Sequence, residues 1–394
     1  MREDVRKIWK NYYESVSKAM NTPYFQVGVE RATTGYEEDI RKLVSKYPEF
    51  EKLTEEVREI KRESIERIDE LLKIAIERFR ERGFHVHYAH DSDEARSIIG
   101  KIIGKGKVIV KAKSIATEEI GLREYLIELG SEVWETDLGE FIIQLLNDRP
   151  MHVVTPSLHV PKEKVAEIFQ KFFKREFDPS DIPAMVKAAS DFLRKKYYEA
   201  EFGVTGANVV AAYDGAVVLI HNEGNIRFTA NIPPKLIVLA GIEKIVPTLM
   251  DAIKVALVVS RYAKYKVAGY YDIIGGVRVI DDNSRWPEEA HIVFLDNGRS
   301  KLIRDPKLRE AAMCIRCGAC MYSCPVFKII AGIFGGRANM GGIGAIWTYA
   351  IEGLEKAVPL LYTCLLDGRC VERCPMKINT PEIIRELRRI VAKK

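Results

Sequence analysis

All seven cysteines of the 394-residue chain lie between Cys314 and Cys374. The first group is Cys314-Ile-Arg-Cys317-Gly-Ala-Cys320-Met-Tyr-Ser-Cys324-Pro325, a C-x2-C-x2-C-x3-C-P run. Thiolates are soft donors suited to iron in sulfide surroundings, and one tight turn of chain can bring three of them onto three irons of a cubane. The proline stops that turn and directs the fourth thiolate elsewhere. Adding 50 to these positions gives Cys364, Asp367, Cys370 and Cys374, with Gly368 matching Gly318 and Pro375 matching Pro325. One offset that reproduces three cysteines, a glycine and a proline marks an internal repeat. In two-cluster iron-sulfur proteins with this run, the fourth cysteine serves the other cluster. The expectation is two clusters, the first held by Cys314, Cys317, Cys320 and Cys374, the second by Cys364, Asp367, Cys370 and Cys324. Zinc also takes thiolates, but its sites usually pair two CxxC units over a longer gap, which disfavours that alternative.

Asp367 stands where the repeat has a cysteine. A carboxylate is a harder donor than a thiolate and holds iron less firmly in a sulfide cluster. The second cluster is therefore expected either as 4Fe-4S with Asp367 as its weakest ligand, or as 3Fe-4S with Asp367 a loop carboxylate nearby; ligation is the favoured reading. Neighbouring clusters relay single electrons and supply no hydride chemistry or substrate activation alone, so a donor and an acceptor elsewhere are implied. No dinucleotide fingerprint accompanies them: Gly104-Lys105-Gly106 lacks the third glycine, and GGIGA from Gly341 follows no predicted strand.

The remainder of the chain must position this segment. With 47% hydrophobic and 30% charged residues it reads as an ordinary globular protein, and 61 basic against 56 acidic residues give a net charge of +5 with no basic stripe, which argues against nucleic acid. The first residues lack an apolar core of the secretory type, and the apolar stretch Leu236 to Val259 is cut by Glu243, Lys244, Pro247, Asp251 and Lys254. A cytoplasmic protein without a transmembrane segment is expected. Residues 1–82 read as helices whose charge-rich run EEVREIKRESIERIDE (55–70) is a solvated face. Residues 83–300 alternate apolar runs with helical stretches: FHVHYA, KVIVKA, SEVWET, MHVVTP, LIVLAG and HIVFL as strands, and 116–129, 162–173 and 243–260 as helices. That alternation predicts a mostly parallel sheet covered by helices, with a hairpin turning at Asp214-Gly215. Residues 301–394 read as a helical module around the cysteines, with KAVPLLYTC a helix leading into the second run. His85 and His87 share one face of a predicted strand, so with His90 they read as core or solvated histidines rather than metal ligands. Trp134, Trp286 and Trp347 read as packing residues.

The segments KSIATEEIGL (113–122), TDLGEFIIQL (136–145), GVTGANVVAAYDGAVVLIHNEGNIRF (203–228) and GIEKIVPTL (241–249), followed by DNGRS and CIRCGAC, resemble the LutB family of lactate-utilisation iron-sulfur proteins over nearly the whole chain. The resemblance implies a LUD domain of the NagB/RpiA/CoA-transferase-like α/β fold, preceded by a helical region and followed by an all-α two-cluster ferredoxin domain. It implies a non-catalytic electron-transfer subunit of a complex that oxidises lactate to pyruvate, with LutA- and LutC-like flavin or iron-sulfur partners. Two departures from the family pattern are Asp367 in place of a cysteine and a short segment, GGRANMGGIGAIWT, between the motifs. Another dehydrogenase or a heterodisulfide-reductase-like complex would use the same architecture. In the distantly related CoA-transferases a glutamate in a loop after a strand forms an acyl intermediate, so Glu223 in HNEGN opens a further alternative, an acyl- or CoA-handling enzyme with redox-sensing clusters. A hydrogen-bonded turn is the favoured reading of those residues. Gly203, Thr205, Gly206 and Asn208, with Glu223 and Asn225, are a candidate small-ligand loop because small residues expose backbone donors.

Overall fold

The computed structural model describes residues 2–263, 270–276, 278–281 and 284–393. Five helices come first: Arg2–Met20, Pro23–Thr33, Tyr36–Lys46, Glu49–Glu66 and Ile68–Glu81. The strands that follow are β1 (His85–Ala89), β2 (Val108–Lys111), β3 (Glu132–Glu135), β4 (Phe202–Gly206), β5 (Val209–Ala211), β6 (Ala216–His221), β7 (Lys235–Gly241), β8 (Ile245–Val246), β9 (Tyr270–Ile274), β10 (Arg278–Asp281), β11 (Ser284–Trp286) and β12 (Glu289–Leu295).

Six of these strands form an all-parallel sheet in the order β1-β12-β7-β4-β2-β3. A parallel sheet is covered on both faces, so its strands are apolar throughout rather than alternating. Along β7, Ile237 and Leu239 face one helical layer with Val293 and Leu295 of β12, while Leu236, Val238 and Ala240 face the other. A second, four-stranded sheet runs β8-β5-β6-β9 and contains the expected hairpin, β5 to β6, closed by a loop over 212–215 with Gly215 at φ 59°.

Four local expectations change. MHVVTP forms no strand; it is an irregular segment that lays His152 against Tyr322 of the cysteine region, with ring centroids 4.6 Å apart. The helix expected over 243–260 begins at Leu249, because Thr248 and Asp251 form a capping box after Pro247. The one expected over 116–129 is split at Gly121 into Ile115–Glu119 and Leu122–Glu128. The central strand β4 carries Gly203 and Gly206, which mask its strand character in sequence. Beyond β12 the regular elements among the described residues are helices, joined by irregular turns and one bridge between Gly335 and Met340. One continuous core joins the amino-terminal helices, the sheet and this carboxy-terminal module. Among the described residues no helix is long and apolar enough to cross a membrane.

A buried charge cluster sits at the β2 and β3 side of the sheet. Lys111, with its side chain fully buried, lies 2.9 Å from Glu135 and 3.0 Å from Glu118, and Arg123 lies 3.6 Å from Glu135. Glu140 is a third acid beside these two cations, buried, with Oε2 lacking a hydrogen-bond partner. Burial, followed by repulsion from Glu118 and Glu135, raises its carboxyl well above the ordinary range. Replacing Lys111 with Met is expected to destabilise the fold by about 3–5 kcal/mol, because it strands buried carboxylates. Glu140 holds in the folded chain a proton that the unfolded chain releases, so its contribution to stability falls as pH rises above about 4.3. Glu140→Gln should therefore narrow the difference between denaturant midpoints at about pH 6 and about pH 8 relative to the parent protein.

Candidate metal centre

The repeat seen in the sequence is also a repeat of backbone geometry. Arg316 and Leu366, 50 positions apart, both adopt the left-handed conformation, at φ 62° and 58°. Gly318 and Gly368 follow at 76° and 80° and open the short helices Ala319–Ser323 and Arg369–Arg373. Those values favour glycine, which lets each CxxC turn reverse tightly around its thiols. Cys324 and Cys374 end the two helices with matching torsions, φ −79°, ψ 121° and φ −74°, ψ 118°.

The thiols gather into two neighbourhoods. Cys314, Cys317, Cys320, Cys370 and Cys374 line one cavity. Cys317 and Cys320 are pushed up, first by burial and then in part by Cys314 and Cys374, and Cys374 is pushed up to about 11 by burial and by Cys314. Around the second turn Cys370 is pushed up to about 12 by burial and by Cys364 and Cys324. Cys324 is raised by burial, then by Cys364 and Asp367. The fourth cysteine of each run thus lies with the thiols of the other. Asp367 is beside the second set, partly exposed, with Arg369 3.5 Å away.

These surroundings suit an iron-sulfur group. All seven cysteines are thiols outside any disulfide. Burial resists thiolate formation unless positive metal compensates it. Backbone N–H groups after each Cys-Pro are aimed at sulfur, from Val326 and Phe327 to Cys324 and from Met376, Lys377 and Ile378 to Cys374. Such donors favour a charged sulfur ligand. No three His, Cys, Asp or Glu side chains among the described residues converge to hold a single ion; the thiols are spread along the cavity wall. His85 and His87 stack on His291 of the neighbouring strand, at centroid separations of 4.9 and 5.4 Å.

Arg316, inside the first turn, ties the thiols to the sheet. Its guanidinium stacks 3.9 Å from the ring centroid of the buried Trp347 and lies 3.6 Å from Glu243 and 4.0 Å from Glu119. Arg299 bonds the same two carboxylates, Glu119 at 2.9 Å and Glu243 more closely. Burial alone would raise Glu243, but Arg299, Lys244 and Arg316 together hold it down at about 2. Lys61 donates to the Glu243 carbonyl at 2.5 Å; it belongs to the run expected as a solvated face, yet it is buried. Burial lowers both Lys61 and Lys244 to about 8.

A cavity of about 470 Å³ opens beside this network at the carboxyl ends of β4 and β7. Thr205, Gly206, Asn208, Glu223 and Asn225 line it, so the structure brings five of the six loop residues singled out in sequence to one place. Gly203 is packed instead against the helix Asn225–Asn231, where an added Cβ would lie 1.9 Å from the Thr229 carbonyl oxygen. Glu223 is raised by burial within the cavity walls and by repulsion from Asp137. Sequence reasoning assigned no role to Arg316, Arg299, Glu119, Glu243, Lys61 or Lys244. Five of these lie inside four quoted motifs, CIRC, DNGRS, SIATEE and GIEK, but spacing along the chain says nothing of charges that meet only after folding.

Residues 72–295 match the LUD domain family, and residues 310–378 match the 4Fe-4S dicluster domain family. Lactate utilization protein B of Bacillus thuringiensis strain Al Hakam is 33% identical over 386 residues, covering 97% of this chain and 80% of that protein. The proteins of that name from Bacillus cereus strain AH187 and Bacillus anthracis strain A0248 match to the same extent. A crystal structure of a DUF162 family protein from Deinococcus radiodurans covers 58% of this chain and 98% of its own at 14% identity, with a TM-score of 0.33.

The two thiol neighbourhoods make opposite predictions for two cysteines. Cys374→Ala should abolish the spectrum of the cluster at Cys314, Cys317 and Cys320, some 60 residues earlier in sequence, and Cys324→Ala should perturb the cluster at Cys364 and Cys370. Electron paramagnetic resonance of each reduced variant distinguishes this crossed pattern from local ligation, in which the two effects would exchange.

Proposed function

Because the chain belongs to the LUD-domain family of lactate utilization B proteins, we propose that it is the iron-sulfur electron-transfer subunit of an oxidoreductase complex that converts lactate to pyruvate. The observation that carries this reading is the pair of repeated turns whose fourth cysteines change places. Cys314, Cys317, Cys320 and Cys374 would hold the first cluster, and Cys364, Cys370, Cys324 and Asp367 the second. Bound there, the clusters accept and release single electrons. The chain's own part is to bury the sulfurs, aim amide N–H groups at them and exclude water. The proposed division is a helical region over 1–82, the LUD-type domain over 83–300 and the ferredoxin module over 301–394.

The two sites differ in exposure. The helix after the first turn buries Ala319, Met321, Tyr322 and Ser323, whereas the helix after the second buries none of its residues. Beside it Leu365 is 65% exposed and Tyr362 47%. This edge is where a flavin- or iron-sulfur-bearing partner of the LutA or LutC kind would approach, because exposed apolar residues near a redox site favour docking. For Glu223, burial and repulsion from Asp137 disfavour the ionised carboxylate, the form that an acyl nucleophile needs.

Asp367 ligates in this reading, and its pairing with Arg369 offers it an alternative partner, so the fourth iron of the second cluster should be labile. Oxidation in air should yield a 3Fe-4S signal in the parent protein, and Asp367→Cys should suppress it. For the function itself, absorption should bleach when lactate is added anaerobically together with a lactate-oxidising flavoprotein partner. Bleaching by dithionite but never by lactate with that partner would overturn the lactate assignment.

A further inference from the structure

The electron-relay role gives no task to the cavity at the sheet edge. At about 470 Å³ it lies within the range of small-molecule sites, roughly 300–1,000 Å³. It also lies where parallel sheets commonly bind ligands, outside the carboxyl ends of their strands.

Its inner wall carries an unmet hydrogen-bonding edge. The Arg316 side chain is 7% exposed and lines the cavity. Its Nη1 donates to Asn339, while Nε and Nη2 make no hydrogen bond, Nη2 lying at ion-pair distance, 3.6 Å, from Glu243. Those two nitrogens form the side of the guanidinium that grips a carboxylate through two parallel bonds. Stacking on Trp347 holds the plane of that fork.

The surrounding charge is also unbalanced. On the inner side four cations, Arg299, Arg316, Lys244 and the adjoining Lys61, face two carboxylates, Glu119 and Glu243, whereas the rest of the lining carries Lys113 with Asp39, Asp137 and Glu223. Among the described residues no carboxylate makes a direct ion pair with Lys244, which lines the cavity beside Arg316. The excess of positive charge is local to this inner wall, and it favours an anion there rather than elsewhere in the cavity.

We propose that this cavity binds a small organic carboxylate, received by the Nε and Nη2 edge of Arg316 with Lys244 alongside. Arg316 and Ile315 line both this cavity and the one among the thiols. A bound anion therefore adds negative charge beside the first cluster and lowers its reduction potential. The binding site stands independently of the electron-relay reading; only the effect on potential rests on it.

Calorimetric titration of the anaerobically purified, cluster-loaded protein with pyruvate, lactate, acetate and inorganic phosphate tests the proposal. Saturable binding of at least one carboxylate, tighter than phosphate, is expected. Lys244→Met, with its iron content verified, should weaken that binding about tenfold or more, since loss of a charged contact typically amounts to that factor. The same carboxylate should shift the first cluster's midpoint downward in a spectroscopic redox titration. No saturable binding of any carboxylate, phosphate binding as tightly, or unchanged affinity in Lys244→Met would overturn the site. Carboxylate binding to a protein that holds no iron would instead sink the electron-relay reading and leave the cavity assignment intact.

Discussion

The buried network of Arg299 and Arg316 against Glu119 and Glu243 joins the sheet to the cysteine-bearing module. Transferring a guanidinium from water into a protein interior costs several kcal/mol unless its partners are well placed. Here the partners come from three different parts of the α/β region. Glu119 follows β2, Glu243 follows β7, and Arg299 follows β12, so only the correctly ordered parallel sheet brings them together. Arg316 then enters from the first cysteine turn, with Asn339 donating to Glu119 at 3.0 Å and Trp347 covering the guanidinium face. The carboxyl edge of the sheet thereby fixes the position of the turn that would hold the first cluster. The amino-terminal helices complete the clamp, since Arg58 donates to the Pro375 carbonyl at 3.1 Å and Gln26 to the Ile329 carbonyl at 2.8 Å.

That anchoring distinguishes the two halves of the repeat. Both use the same backbone device, a left-handed residue, a left-handed glycine and a one-turn helix ending at Cys-Pro. The first copy faces the sheet and is buried against it; the second faces outward, with a carboxylate where its twin has a thiol. One motif has thus been set into two dielectric surroundings. The inner one is rich in buried cations and the helix of the outer one buries none of its residues, a difference that would set the reduction potentials of bound clusters apart.

The parts legible in sequence were those encoded by short-range pattern. The cysteine repeat, the apolar runs LIVLAG and HIVFL and the Asp214-Gly215 hairpin all announce themselves through local spacing, and each is present in the fold. The strand β4 did not, because Gly203 and Gly206 are there to admit the Thr229 carbonyl and the Ser114 side chain, contacts formed only in the assembled structure. MHVVTP has strand-like composition, but its backbone is drawn away to cover the cysteine turn. Lys61 looked like one more charge on a solvated helix until the fold buried it against Glu243. Thr205, Gly206, Asn208, Glu223 and Asn225 could be singled out by residue type, whereas Arg316 and Lys244, which give their cavity its charge, required the three-dimensional arrangement.

The central claim is that one carboxy-terminal module holds two communicating iron-sulfur clusters. Counting iron and acid-labile sulfide per chain after anaerobic purification, with paramagnetic resonance spectra taken before and after full reduction, addresses it most directly. The account predicts about eight irons, or about seven where the site at Asp367 has lost one, with spectra broadened by interaction between two reduced centres. Zinc in place of iron, or a single isolated cluster of about four irons, would contradict it.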